Sequence, residues 1–294
     1  SLLGRGGMGA VYRAEQLEPV HRTVALKLLR AQKLDARHLA YFEVERQLLA
    51  QMRHPAIAHV YDADTTPDGH PFFAMEFIAG SPITRWCDQH ASPLAERIAL
   101  FIRVCEGVQH AHQKGVIHRD LKPGNILFDE YGNPMISDFG IAKLALDAGV
   151  ATLTQTGSLV GTPAYMSPEQ VRGDPDIDRR SDLYSFGIIV YEMLTGKPPF
   201  RADTPYGLLM QHVTAPIPRV LDTNPMLPLA VQAVIERALA KERSQRFASA
   251  GELATALVTA LQQAPKPEPA TAFEATLLPD ALTSEPSPAG VVPF

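Results

Sequence analysis

The sequence predicts an α+β chain of two lobes: a small β-rich N-terminal lobe holding one key helix, and a larger, mainly helical C-terminal lobe. Short apolar runs of strand length fill the first quarter of the chain. From about Gly80 onward the apolar residues recur at helical spacing instead. After Gln262 the composition shifts, with seven prolines in residues 263–294 and no apolar period, which reads as a disordered tail or linker. The predicted division is therefore 1–78, 79–262 and 263–294.

Leu2-Leu3 opens the chain inside what reads as a truncated first strand and leads into a glycine-rich turn. Ala10-Val11-Tyr12-Arg13-Ala14 then resumes a strand, and Thr23 to Leu29 is a second apolar run. Leu39, Phe42, Leu48, Leu49 and Met52 predict a helix over 37–52, stopped at His54-Pro55 because the residue before proline is pushed out of the helical region. Short strands are expected over 57–63 and 71–77, joined by a turn at Pro67-Asp68-Gly69. Residues 94–114 read as one long helix. Residues 183–194 are apolar nearly all round, as in a helix buried within a domain. Further helices are expected over 229–241 and 250–262.

With 294 residues, 46% of them hydrophobic, the chain is long enough to bury a sizeable core. A formal charge of −5, from 27 basic and 32 acidic residues, argues against wholesale nucleic-acid binding. Cys87 and Cys105 form no metal-ligand cluster and read as reduced core residues of a cytosolic domain. No apolar run reaches the ~18 residues of a membrane span, and no secretory signal opens the chain.

Gly4-Arg5-Gly6-Gly7-Met8-Gly9 spaces its glycines so that backbone amides can close over phosphates with no Cβ in the way. A dinucleotide-binding turn carries the same spacing but opens a helix, whereas a strand follows here; alone, the string equally fits a plain glycine-rich hairpin. Val24-Ala25-Leu26-Lys27 ends an apolar strand on a lysine, a residue seldom buried unless paired. Glu45, in the next helix, is a candidate partner; an edge-strand lysine and a solvated glutamate are the alternative. His118-Arg119-Asp120-Leu121-Lys122-Pro123-Gly124-Asn125 is followed by Asp138-Phe139-Gly140 and by Ser167-Pro168-Glu169.

In that order, these segments resemble the motif set of protein kinases: Gly-rich loop, VAIK lysine, HRDLKPxN loop, DFG and APE. The resemblance covers nearly all of residues 2–262 and implies the two-lobed protein-kinase fold. It departs only in Leu26 for isoleucine and Ser167 for alanine, neither of which carries charge. It implies that Leu3, Gly4, Gly6, Gly7 and Gly9 cover ATP. Lys27 would hold the α- and β-phosphates and pair with Glu45. Asp120 would accept the substrate hydroxyl's proton, Lys122 would reach the γ-phosphate, and Asn125 and Asp138 would bind Mg²⁺ (or Mn²⁺). Met75, Glu76 and Ile78 resemble the gatekeeper and hinge, with Val11, Ala25 and Leu127 on the faces of the adenine. Asp182 resembles the aspartate that braces the catalytic loop, Arg246 the partner of Glu169, and Thr162 the threonine that contacts the catalytic aspartate.

Gly161-Thr162-Pro163-Ala164-Tyr165-Met166-Ser167-Pro168-Glu169-Gln170, His54-Pro55-Ala56-Ile57 and Ala111-His112-Gln113-Lys114-Gly115-Val116-Ile117 resemble bacterial eukaryotic-like (Hanks-type) serine/threonine kinases. That resemblance implies ATP-dependent transfer to protein Ser/Thr hydroxyls, by a cytoplasmic domain whose membrane contact, where it exists, runs through segments outside this chain. Arg119 beside Asp120 implies control by loop phosphorylation, with Thr154 and Thr156 as sites of autophosphorylation in trans. A pseudokinase scaffold or a small-molecule phosphotransferase of related fold is the alternative class. The intact Lys27, Asp120 and Asp138 weigh against the first, and the 162–169 segment against the second.

Overall fold

A computed structural model describes residues 1–6, 9–29, 46–139 and 163–263. The first lobe is an antiparallel five-stranded sheet of β1 (Leu2–Gly6), β2 (Gly9–Gln16), β3 (Arg22–Leu29), β4 (Val60–Thr65) and β5 (Pro71–Glu76). Its spatial order is β1-β2-β3-β5-β4. The register sets Val11 opposite Lys27 and Lys27 opposite Phe73, with Arg13, Ala25 and Met75 aligned two residues along. Because side chains alternate along a strand, Val11, Ala25, Lys27 and Met75 share one face of the sheet.

Residues 46–50 are helical, in agreement with the helix expected over 37–52; residues 30–45 lie outside the described part. The strand expected over 57–63 starts only at Val60. Ile57 bridges to Ile136 instead, with Ala58 N–H donating to Ile136 O at 2.9 Å and Ile136 N–H to Ala56 O at 2.9 Å. An apolar residue in a short run looks the same whether it extends a strand or docks one lobe on the other. The strand expected over 71–77 ends at Glu76.

The second lobe contains α1 (Ile83–Gln89), α2 (Leu94–Gln113), the short hairpin β6 (Ile126–Phe128) and β7 (Pro134–Ile136), then α3 (Pro168–Arg172), α4 (Arg180–Thr195), α5 (Pro205–Thr214), α6 (Val220–Thr223), α7 (Leu229–Ala238) and α8 (Ala250–Gln262). On α2, Ile98, Phe101, Cys105 and Val108 recur at helical spacing and are buried, while Glu106 on the opposite side is exposed. On α4 nearly every residue from Ser181 to Leu194 is buried, so this helix is the axis of the lobe. Gly187 lets it approach α7 closely: a Cβ there would meet the Leu239 side chain at 2.8 Å. The helix expected over 229–241 ends at Ala238. Lys241 turns back, its ammonium donating to Gln211 O and His212 O and sitting 4.4 Å from the Phe200 ring.

One apolar core runs from Leu49, Phe73 and Met75 of the first lobe to Ile136, Phe186 and Leu257 of the second. Cys87 and Cys105 are free and buried within it. Among the described residues no helix is long and apolar enough to cross a membrane. The Pro-rich tail lies outside the described residues beyond Gln263.

Candidate active site

Asp182, in the first turn of α4, is fully buried and organises the His118–Asn125 loop. Its Oδ2 accepts from His118 N–H at 2.8 Å and from His112 Nε2 at 2.7 Å, and its Oδ1 accepts from Arg119 N–H at 2.8 Å. Burial pushes its pKa up. The His112 hydrogen bond, the nearby histidines and the His118 amide outweigh that and hold it below the usual aspartate range, so it stays ionised. Arg119 has φ 65°, a left-handed conformation that a non-glycine residue holds only when its surroundings enforce it. Asp182 grips its amide, and Gln170 of α3 donates to its carbonyl at 2.6 Å. The loop is thus held from two helices.

His118 is buried, and burial lowers its pKa against the pull of Asp182 and Asp120. The neutral ring matches its bonds: Nε2 donates to Ser137 O at 2.9 Å, and Nδ1 accepts from Asp120 N–H at 3.3 Å. Next along the loop, Asp120 Oδ2 lies 2.7 Å from Lys122 Nζ. Asn125 Nδ2 donates to Asp120 O at 2.8 Å and to Asp120 Oδ2 at 3.3 Å. Using the amide nitrogen this way leaves the Asn125 side-chain oxygen as its remaining donor atom toward a cation.

From the sheet, Lys27 Nζ reaches Asp138 Oδ1 at 3.0 Å, a single bond that ties β3 to the segment after β7. Burial raises the Asp138 pKa, but Lys27 outweighs it, helped by His118 and Lys122, and keeps the carboxyl below its ordinary value. Asp138 also holds a left-handed φ of 64°.

In the β1–β2 hairpin Gly6 pairs with Gly9, and Gly4 with Val11. Gly9 must be glycine, since a Cβ would sit 1.9 Å from Leu28 O. At Gly4 and Gly6 a Cβ would meet nothing within 4 Å, so these positions leave open space beside the exposed strand carrying Leu3. Met75 is buried at the end of β5. Glu76 N–H already donates to His59 O at 2.8 Å, and its carboxylate accepts from His59 N–H at 3.1 Å. Ile78 packs with Ala58, Met135 and Leu127.

The lower part of the site rests on Arg246 and Glu169, joined by two bonds of 2.7 and 2.8 Å. Arg246 donates also to Ala240 O, Arg180 O and Lys241 O, which occupies every donor of the guanidinium. Gly7, Glu45, Thr154, Thr156 and Thr162 lie outside the described residues.

The family description "Protein kinase domain" matches residues 1–258. The chain belongs to the protein kinase family. Its two-lobed architecture is the kinase fold that the motifs implied. It is similar to the DNA damage-responsive serine/threonine-protein kinase RqkA of Deinococcus radiodurans, 40% identical over 257 residues, covering 86% of this chain and 38% of the relative. Serine/threonine-protein kinase PknB of Mycolicibacterium smegmatis is 40% identical over 267 residues, covering 87% and 41%. The PknB of Mycobacterium tuberculosis is 39% identical over 263 residues, covering 87% and 41%. The chain spans about two fifths of the length of these curated relatives.

Kinases use ATP and a divalent metal. The candidate ligands fit a hard cation: a carboxylate held ionised at Asp138 and the amide oxygen of Asn125, with no thiolate or imidazole among them. Among the described residues no cluster of three or more His, Cys, Asp or Glu forms a closed metal cage. Magnesium typically binds through one or two such ligands, with phosphate oxygens and water completing the shell.

Reading the motifs alone misses three supports of this kinase site: the Gln170 clamp on Arg119, the His112 bond to Asp182, and Tyr165. Tyr165 O–H donates to Glu192 Oε2 at 2.7 Å, and its carbonyl accepts from Ser185 Oγ at 2.7 Å. Their partners lie 20 to 70 residues away. His112, Tyr165 and Gln170 all fall inside stretches that resemble bacterial kinases, which was the one signal available.

Proposed function

We propose that this domain is an active serine/threonine protein kinase that transfers the γ-phosphate of ATP to Ser and Thr hydroxyls of proteins, with Mg²⁺ (or Mn²⁺). The observation that carries this reading is the meeting of Lys27–Asp138 with Asp120, Lys122 and Asn125 beside the braced loop. Asp120 orients the acceptor hydroxyl and takes its proton, with Oδ2 already set by Lys122 and Asn125. Lys122 moves from Asp120 onto the γ-phosphate, and Lys27 holds the α- and β-phosphates. Asn125 and Asp138 hold the metal, which when bound neutralises charge on the phosphates. The Glu76 carbonyl and the Ile78 backbone take the adenine edge, between Val11 and Ala25 above and Leu127 below. Leu3, Gly4, Gly6, Gly7 and Gly9 cover the phosphates, and Met75 closes the back of the adenine site.

Glu45 pairs with Lys27 in the active state, and Thr162 contacts Asp120. Asp182, Glu169 and Arg246 act as structural supports. Phosphate added in trans to Thr154 or Thr156 orders the loop against Arg119. The domain works in the cytoplasm on protein substrates and on other copies of itself.

Incubation with γ-labelled ATP and a generic protein substrate tests the reading. Label on phosphoserine and phosphothreonine, with Thr154 or Thr156 mapped by mass spectrometry, is expected. Label confined to tyrosine or to small alcohols, or none at all, overturns it.

A further inference from the structure

Asp120 stands between two peptide planes, and both are held. A peptide unit is planar, so the Arg119 carbonyl and the Asp120 N–H turn as one body. The Asp120 N–H donates to His118 Nδ1 at 3.3 Å, and the Arg119 carbonyl accepts from Gln170 Nε2 at 2.6 Å. The plane that follows is fixed at the Asp120 carbonyl by Asn125 Nδ2 at 2.8 Å. The plane that precedes Arg119 is fixed at its N–H by Asp182 Oδ1 at 2.8 Å. Rotation of the shared plane changes ψ of Arg119 and φ of Asp120 together, and so swings the Asp120 carboxylate. Of the two bonds on that plane, the long one comes from within the loop and the short one from α3. Arg119, at φ 65°, holds a conformation that a non-glycine residue leaves unless its neighbours enforce it.

The Gln170 amide has little freedom of its own. Its Oε1 accepts from Ser167 N–H at 3.0 Å, while Gln170 N–H donates to Ser167 Oγ at 3.4 Å, a reciprocal cap at the start of α3. Exchanging the amide oxygen and nitrogen would set donor against donor at Ser167 and oxygen against oxygen at Arg119. Ser167 Oγ lies 3.0 Å from Ser181 Oγ of α4, and neighbouring Glu169 is anchored by Arg246. One side chain thus spans from an anchored segment to the plane that carries the Asp120 N–H. Among the described residues it makes the one hydrogen bond from α3 to the 118–125 loop. Capping alone does not require this residue. Glutamate closes the same reciprocal cap, and its charge suits a helix N-terminus. The Arg119 carbonyl, however, needs a donor, which the amide has and a carboxylate lacks. The bond to Arg119 is what glutamine supplies here beyond the cap.

We propose that Gln170 is a positioning residue for phosphoryl transfer: it sets the 119–120 peptide plane, and through it the Asp120 carboxylate, according to how the segment carrying Glu169 is seated. This rests on the reading of Asp120 as the base that takes the substrate proton. The effect falls on turnover, because a carboxylate swung away from the hydroxyl loses rate and leaves nucleotide binding intact.

The test compares Gln170→Met and Gln170→Glu with the wild type in the full chain, in preparations matched for phosphate content by mass spectrometry. Gln170→Met keeps the length of the side chain and loses both the cap and the donor. Gln170→Glu keeps the cap and sets an oxygen against the Arg119 carbonyl. With a generic protein substrate, kcat should fall about tenfold in Gln170→Met and further in Gln170→Glu, with KM for ATP changed by less than about twofold. Thermal stability should run in the opposite order, Gln170→Glu unfolding later than Gln170→Met because it keeps the cap. A purely structural role cannot give opposite orders for the two readouts. The Asp120 amide nitrogen resonance should move in both variants, since it shares a peptide unit with the Arg119 carbonyl. Turnover within about twofold of the wild type in both variants, losses of kcat that follow the losses of stability, a change confined to KM for the protein substrate, or an unmoved Asp120 resonance overturns the proposal. Asp120→Asn is measured alongside. If it keeps most of the activity, the reading of Asp120 as the base falls and takes this inference with it. If it is inactive while the Gln170 variants turn over normally, the positioning role alone falls.

Discussion

Two ion pairs hold opposite ends of the catalytic region, and they are built differently. Arg246 and Glu169 meet through two bonds in a nearly solvent-free pocket, with side chains 0% and 4% exposed. Three backbone carbonyls use up the remaining donors of the arginine. Lys27 and Asp138 meet through one bond of 3.0 Å, and the Asp138 side chain is 22% exposed. A guanidinium with every donor occupied cannot exchange partners without leaving buried groups bare. An ammonium with three rotatable donors can release one carboxylate oxygen and take a phosphate oxygen. The first pair holds the segment carrying Glu169 to the helical core; the second, on the proposed function, is the one that changes partners when nucleotide enters.

The largest effect expected from this contrast is on stability. Arg246→Ala leaves Glu169 charged and buried and deprives three carbonyls of their donor, so it should cost about 3–5 kcal/mol in urea unfolding. Lys27→Met should cost only about 1 kcal/mol, because water reaches Asp138. Equal losses for the two variants would abolish the distinction between them.

The same contrast separates what was legible in the sequence from what was not. Lys27, Asp120, Lys122, Asn125 and Asp138 could be picked out because each sits inside a short segment that resembles a protein-kinase motif, and their roles rest on that resemblance and on the proposed function. The buried α4 could also be read, since an all-round apolar helix of that length has few other uses. Gln170 on Arg119 O and the Ile57–Ile136 bridge could not, because each depends on a partner brought near only by the fold. Element ends failed for a related reason. Leu239 continues the helical pattern of α7 yet serves as its cap, with Lys241 turned back to α5.

The next effect is on rate. Lys27→Met should lower phosphoryl transfer by about 10²–10³, the usual loss when one preorganised electrostatic contact leaves an active site. Circular dichroism and the modest unfolding shift would show that the domain remains folded. Near-normal turnover by this variant would mean that the Lys27–Asp138 bond is structural and that phosphate is held elsewhere.

The smallest effect concerns acid, and it tests the second pair alone. In the folded domain Asp138 is pulled below its ordinary carboxylate range, with burial opposing and Lys27 prevailing. A carboxyl whose folded pKa is depressed contributes stability that is complete above its unfolded value of 3.8, and that is lost as pH falls through the lower folded value. Removing the ammonium leaves burial as the main influence, which moves the Asp138 pKa upward and cancels or reverses that contribution. The stability gap between the wild type and Lys27→Met should therefore be widest near pH 7 and narrow as pH falls, first through the raised Asp138 pKa of the variant and then below 3.8 as the wild-type contribution is lost. Other carboxylates titrate in both proteins, among them the depressed Asp182, and drop out of the difference. Urea unfolding of both proteins at several pH values measures the gap. A gap that stays constant down to about pH 3 would show that Lys27 does not set the charge of Asp138, and that the 3.0 Å bond carries no electrostatic coupling.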